Sequence, residues 1–276
     1  MIYFDNAATG GKKPQSVINA VNYALNNYCA NPGRSGHRPS EKAAMAIFKA
    51  REKTASFFSA DGAEQVIFTA NCTHAINYVL KGVVGENDHI IVSSLEHNAV
   101  MRPLVKSGVD YSVAEVSLVD DNETVENFRR FIKKNTKMIF CTAASNVLGK
   151  RLPIEKIGVL CKDNEILFGL DGAQAAGVTP INMGEMNIDY LCLAPHKGLY
   201  SPMGIGVLIA RKPIERTIIE GGTGNNSALL NQGTEKPEDF ESGTVNLPAI
   251  LGVGAGVDYV KSKGIEKIYN HEMELI

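Results

Sequence analysis

An α/β fold built on an open, mainly parallel sheet is predicted by three features of this 276-residue sequence. Short strand-like runs alternate with helical patterns over most of the chain, the runs are apolar on both faces, and polar residues gather just past their carboxyl ends. Pro14 opens a first helix, in which Ile18, Val21, Leu25 and Tyr28 recur at helical spacing. The stretch "NPGRSGHRPS" (31–40), dense in Gly, Pro and Ser, breaks that helix. Ser40 reads as the cap of a second helix carrying Ala44, Phe48, Arg51, Ala55 and Phe58. Strand-like "QVIFT" (65–69) leads into a helix with Ile76, Val79, Leu80 and Val83, followed by strand-like "HIIVSS" (89–94). Further strands are "KMIFCTA" (137–143), "EILFGLD" (165–171) and "IDYLCLA" (188–194). The helical stretches between them imply crossovers between parallel strands.

Composition removes several functional classes. Lys plus Arg total 28 against 30 Asp plus Glu, a net charge of −2, so there is no electrostatic case for nucleic acid or an anionic membrane. There is no leader-like start and no apolar span long enough for a bilayer, so a cytoplasmic protein is expected. The cysteines, Cys29, Cys72, Cys141, Cys161 and Cys192, are odd in number and form no CxxC pair. Neither a disulfide framework nor a metal site is expected, and most of these thiols read as small buried apolar groups. The phosphate-loop spacing fails at Gly11-Lys12 and at Gly149-Lys150, because the required Gly and hydroxyl positions are wrongly filled. "GVGAG" (252–256) follows Pro248-Ala249-Ile250-Leu251 rather than a strand and reads as a helix-packing surface. No GxSxG elbow and no HExxH helix occur.

In open α/β sheets, ligands sit outside the carboxyl ends of the strands. The polar groups there are Asn71-Cys72-Thr73-His74, Glu96-His97-Asn98, Ser145-Asn146, Asp171-Gly172-Ala173-Gln174 and His196-Lys197. Lys197 ends an apolar run with no acidic neighbour, and burying an ammonium is costly. An amine condensed with an aldehyde no longer needs full solvation. Pyridoxal phosphate requires such a lysine, a carboxylate to keep its ring nitrogen protonated, and an anion cup at a helix N-terminus. Asn71-Cys72-Thr73 can supply that cup.

Seven segments occur in order: "YFDNAAT" (3–9), "EHNAV" (96–100), "SNVLGKRLPI" (145–154), "DGAQAAG" (171–177), "HKGLYSPMGIGVL" (196–208), "EGGTG" (220–224) and "FESGTVNLPAI" (240–250). They resemble the class V aminotransferase group of fold-type I pyridoxal phosphate enzymes, most closely its cysteine desulfurase and selenocysteine lyase branch. The resemblance implies a large cofactor domain with a mainly parallel seven-stranded sheet over 13–246. An N-terminal segment, 1–12, would lie near the active site, and 247–276 would open a small C-terminal domain. It implies that Lys197 holds the cofactor and moves the proton at the substrate Cα, that Asp171 pairs with the pyridine nitrogen, and that Gln174 bonds the phenolic oxygen. His97 would stack on the ring and assist proton transfer. Thr73, His196 and the backbone around Cys72 would hold the phosphate, with Thr223 reaching in from a second subunit of a homodimer. Asn146 and Asn6 would sit near the substrate carboxylate. His37, His74, His89 and His271 are read as ordinary structural histidines.

Two departures stand out. Ala194 occupies a place where the family usually has a serine, which removes one phosphate hydrogen bond worth about 1.5–3 kcal/mol. The family continues into a small domain carrying a persulfide-forming cysteine and an arginine for the substrate carboxylate, whereas this chain ends at Ile276. The expected function is therefore desulfuration of L-cysteine or selenocysteine to alanine, with a sulfur-acceptor protein as partner, by a truncated form whose turnover is expected to be reduced. The alternatives are an aminotransferase or β-lyase of the same fold, and a non-catalytic cofactor-binding remnant that serves as a dimer partner.

Overall fold

The computed structural model describes residues 2–32, 36–224 and 229–275. Its centre is one seven-stranded sheet. The strands are β1 (Val66–Thr69), β2 (His89–Ser93), β3 (Asp110–Ala114), β4 (Thr136–Thr142), β5 (Leu167–Asp171), β6 (Tyr190–Leu193) and β7 (Gly206–Ala210). They lie in the order β1-β7-β6-β5-β4-β2-β3. The run from β3 to β6 is parallel, while β7 is antiparallel to both of its neighbours. Chain progression reverses between β2 and β4, and that reversal opens a crevice at the carboxyl ends.

The two-faced apolar character of the strands has a direct consequence: successive residues enter different cores. Ile90, Val92, Met138, Phe140, Tyr190, Cys192 and Leu208 pack beneath α3 (Cys72–Val83) and α4 (Asn98–Ser107). Ile91, Ile139, Cys141, Phe168, Leu170, Leu191 and Val207 face the opposite core. That second core takes in α2 (Arg38–Phe57), α6 (Ile154–Asp163), α7 (Leu247–Lys263) and part of α1 (Gln15–Asn27). The remaining helices are α5 (Asp121–Arg130) and α8 (Ile265–Glu274). The segment assigned from sequence to a second unit begins with α7, which packs on α1 and α2. The glycines of "GVGAG" form that packing surface, with Gly252 against Pro202 and Gly254 against Ala50. No helix among the described residues is long and apolar enough to cross a membrane.

Four local expectations need correction. The inward stripe of α1 is Val17 and Ala24, with Val21 and Tyr28 half-buried, while Ile18 and Leu25 point outward. In α2 the expected Arg51, Ala55 and Phe58 are buried, joined by Ala43, Ile47, Ala50 and Thr54, while Phe48 lies exposed. The cap of α2 is His37, whose Nδ1 accepts from the Ser40 N–H at 3.3 Å; Ser40 is buried in the first turn and donates to the Asn31 carbonyl at 2.8 Å. The loop at 31–40 is described apart from 33–35. Strands β3 and β7 were not anticipated. β3 is a largely exposed edge, and β7 follows β6 without a helix, so neither shows the alternation that marked the others.

Arg51, read from sequence as part of an apolar stripe, is buried in an ion pair. Its guanidinium donates to both oxygens of Glu241, at 2.7 and 2.5 Å, and to the Val66 carbonyl, and lies 4.8 Å over the Phe68 ring. Glu241 also accepts from the Phe68 N–H at 2.5 Å. The pair thereby occupies the free edge of β1, where unpaired backbone groups would otherwise be exposed. Arg51→Ala strands a buried carboxylate and is expected to lower the unfolding free energy by about 3–5 kcal/mol in chemical denaturation. The double variant Arg51→Ala/Glu241→Gln should lose less than the sum of the two single changes, because no lone buried charge is left.

Candidate active site

Five strand ends converge on one cavity of about 390 Å³, whose lining includes Asp5, Ala7, Asn71, Cys72, Thr73, His97, Thr142, Asn146, Asp171, Gln174, Ala194, His196 and Lys197. β1 delivers the N-terminus of α3. Asn71 caps that helix, its Oδ1 accepting from the His74 N–H at 2.9 Å. The Cys72 and Thr73 amides lie in the first turn, where helix geometry offers no intrahelical acceptor. A helix start of this kind attracts an anion.

β5 ends in Asp171, a carboxyl 4% exposed that accepts from the Ala173 N–H at 2.9 Å and from the Cys72 thiol at 3.7 Å. Burial raises its pKa, against the Ala173 hydrogen bond and the Lys197 charge, which lower it. Burial likewise raises the Cys72 thiol well above its ordinary range, with the Asp171 charge adding to the effect, so Cys72 is a protonated donor. Cys141 and Cys192 are pushed up by burial in the same way, and so is Cys161. Four of the five thiols are thus poor nucleophiles.

Past β6 the chain turns through Ala194-Pro195-His196-Lys197. Lys197 Nζ is a pure donor, which orients the Gln174 amide: its oxygen accepts from Nζ at 3.2 Å and its nitrogen donates to the Ala7 carbonyl at 3.3 Å. Gly177 and Gly198 press backbone to backbone. A Cβ on Gly177 would stand 2.3 Å from the Gly198 carbonyl oxygen, and one on Gly198 would stand 2.3 Å from that of Ala176. Gly177 also has a φ of +85°, in the region that favours glycine. The loop bearing Asp171 and Gln174 is therefore locked to the loop bearing Lys197.

His97 caps α4, its Nδ1 accepting from the Ala99 N–H at 3.1 Å; a neutral ring in that bond carries its proton on Nε2. The structural role and the cavity position coincide in one side chain. Asn146 also lines the cavity, whereas Asn6 does not. Asn6 shapes the N-terminal turn, accepting from the Gly11 N–H at 2.9 Å and donating to the Tyr3 carbonyl at 3.3 Å, and it is Asp5 and Ala7 that reach the site. Thr223 lines a separate cavity beside Arg51 and Glu241.

Three supporting groups, Thr9, Lys13 and Glu96, were given no role by the sequence. Thr9 Oγ1 meets His196 Nδ1 at 3.0 Å, and the His196 carbonyl accepts from the Gly10 N–H and Lys13 Nζ, each at 3.0 Å. Burial lowers the His196 pKa, and the charges of Lys197 and Lys13 lower it further. The third group is Glu96. Its Oε1 accepts from the Ser93 hydroxyl and from the Thr142 N–H at 2.8 Å, which ties the ends of β2 and β4 together across the crevice, while Oε2 is buried without a partner. Thr9 lay inside a quoted motif. Glu96 stood among the polar residues at the strand ends and in the motif of His97, but nothing in the sequence distinguished its role from that of its neighbours.

With this geometry established, comparison with known proteins identifies the family. The model described as aminotransferase class-V matches residues 2–276. The chain belongs to the class V aminotransferase family. A probable cysteine desulfurase of Borreliella burgdorferi is 31% identical to this class V chain, over 100% of it and 69% of the relative's own length. For two further relatives that share of their own length is 47% and 71%. An apo cysteine desulfurase structure from Thermococcus onnurineus superposes with a TM-score of 0.84 at 30% identity, covering 99% of this chain and 70% of the other. SspA, solved in complex with cysteine, gives 0.80 at 29% identity over 98% of this chain and 78% of the other. The seven-stranded architecture is thus that of the fold-type I cysteine desulfurases.

Glu96 yields a stability prediction for this class V chain. Burial pushes its pKa from 4.5 up to about 8, so the folded state binds the proton more tightly than the unfolded chain. Stability is therefore expected to fall as pH rises from about 4.5 to about 8, by an amount on the order of 1–4 kcal/mol. Glu96→Gln, neutral throughout, should lack that component. Unfolding curves of both proteins at pH 5, 7 and 9 measure it, and parallel pH dependences would exclude a buried titrating Glu96.

Proposed function

We propose that this chain is a pyridoxal 5'-phosphate-dependent enzyme of cysteine desulfurase type, which takes L-cysteine or selenocysteine and yields alanine with transfer of sulfur or selenium to an acceptor thiol. The observation that carries this reading is a half-buried lysine amine facing the same cavity as a buried carboxylate that has no ion-pair partner among the described residues. The donor set fits the cofactor. Asp171 is satisfied only by one amide and one weak thiol donor, which leaves it able to take a cationic ring N–H. Across the cavity, the first turn of α3 with the Thr73 hydroxyl and His196 suits a phosphate dianion. Ala194 adds a wall there without a donor.

When bound, the cofactor supplies an electron sink for the pair released at the substrate Cα. Asp171 would keep the ring nitrogen protonated, Gln174 would bond the phenolic oxygen, and His97 would stack on the ring face. Cys72 N–H, Thr73 and His196 would hold the phosphate. Lys197 would bind the cofactor at rest and move the proton at Cα, with His97 assisting, while Asn146 would meet the substrate carboxylate. Thr223, away from its own chain's cavity, fits the reading in which "EGGTG" completes the site of a second copy, giving a C2 homodimer with two equivalent sites. Residues 13–246 would then form the cofactor domain, with 247–276 opening the next unit.

Protein loaded with pyridoxal phosphate should absorb in the visible, and borohydride followed by peptide mass analysis should place the cofactor on Lys197. A reducible adduct at another lysine in Lys197→Ala protein would refute the assignment. Asp171→Asn should retain cofactor yet lose roughly a hundredfold or more in turnover. Products formed from L-cysteine separate the alternatives: alanine with sulfide in the presence of reductant marks a desulfurase, pyruvate with ammonia a β-lyase, and accumulating pyridoxamine phosphate an aminotransferase.

A further inference from the structure

We propose that the Cys72 thiol is a positioning group for Asp171, holding one oxygen of that carboxylate so that the other is left for the ring nitrogen of the cofactor; this rests on the reading of the Lys197 cavity as a pyridoxal phosphate site. The two donors that Asp171 receives converge on a single atom. The Ala173 N–H at 2.9 Å and the Cys72 thiol at 3.7 Å both bond Oδ1. Oδ2 accepts from no group among the described residues and is not sealed within the protein. It is therefore the oxygen presented to the cavity that Asp171 and Cys72 both line. Cys192 stands opposite Asp171 in the β5–β6 register, yet among the described residues only Ala173 and Cys72 donate to the carboxylate.

The two bonds differ in what they fix. Ala173 belongs to the same loop, so its amide moves with Asp171. Cys72 opens α3, 99 positions away in the chain, and its thiol sets the carboxylate against the helix whose first turn suits the phosphate. One residue thereby serves both ends of the cofactor, its backbone N–H at the phosphate and its side chain at the partner of the ring nitrogen. The contact between Gly177 and Gly198 locks the Asp171 loop to the Lys197 loop but includes no residue of α3. The thiol also acts on charge. It keeps its own proton, because burial and the Asp171 charge raise its pKa. Its bond to Oδ1 stabilises the carboxylate against the burial that opposes ionisation, and so makes Oδ2 a weaker base. A weaker base leaves the shared proton on the ring nitrogen, where an electron sink needs it.

The test uses the full chain loaded with pyridoxal phosphate that carries an isotope label at the ring nitrogen, whose magnetic resonance position reports protonation there. Cys72→Ala should move that resonance toward the unprotonated ring and weaken cofactor binding roughly three- to tenfold. Cys72→Ser, which keeps a donor, should recover part of both. An unmoved resonance in Cys72→Ala would overturn the inference, even alongside a loss of stability, since packing alone would then account for the thiol. A second measurement needs neither cofactor nor folded Cys72→Ala protein. In the infrared spectrum of the unaltered protein, the Cys72 S–H stretch, assigned by its loss in Cys72→Ser, should lie where a carboxylate-bonded thiol absorbs. A band at the free-thiol position would overturn the inference. Failure of the unaltered protein to bind the labelled cofactor would overturn the cofactor reading and this inference together; binding with either of the former results would overturn the inference alone.

Discussion

The contact between the Gly177 and Gly198 backbones holds the working parts of this molecule in register. Asp171 and Gln174 belong to one loop and Lys197 to another, and side-chain bonds alone would leave the two loops free to drift. A carbonyl set where a Cβ would otherwise stand removes that freedom, because nothing compressible lies between the two chains. The consequence is visible at Gln174, whose amide bridges the Lys197 amine and the N-terminal segment at Ala7. The N-terminal segment is held in turn by four hydrogen bonds to His196, so residues more than 180 positions apart share one small volume.

Electrostatically the site is arranged around carboxyl groups kept from water. Asp171 and Glu96 lie at the carboxyl edge of the sheet; the Asp171 charge helps raise the Glu96 pKa, and the charges of both help raise that of the Cys141 thiol. They are satisfied differently. Glu96 has its donors on Oε1, from β2 and β4, and acts as a clasp where the strand order reverses. Asp171 accepts only from the Ala173 N–H and the Cys72 thiol among the described residues, and so keeps acceptor capacity unused. The same environment holds the Cys72, Cys141 and Cys192 thiols protonated, so the cysteines near the site serve as packing and weak donors.

Much of this was legible in the sequence. Strands covered on both faces must be apolar throughout, which made β1, β2, β4, β5 and β6 readable. Residues at their carboxyl ends must converge, which brought Cys72, Thr73, His97, Asn146, Asp171, Gln174, His196 and Lys197 to one cavity. The inward face of α1 was misread, and α2 was misread at Phe48, because large apolar residues attracted the assignment, whereas Arg51, Ala55 and Phe58 are buried as expected. α7 approaches closely enough that its Gly254 meets Ala50 and its Gly252 meets Val21, and Leu25 and Phe48 are left outside.

Periodicity and chain order determined the class of fold, the working edge of the sheet and the identity of the residues there, because alternation and strand ends are local properties. Tertiary structure alone decided what each side chain meets. Arg51 is half of a buried ion pair because Glu241, 190 positions away, reaches the β1 edge. Asn6 turns into its own loop because the Gly11 N–H lies within reach. Glu96 holds its proton because two strands distant in sequence close over it. Burial and charge are sums over neighbours, and those neighbours are chosen only when the chain has folded.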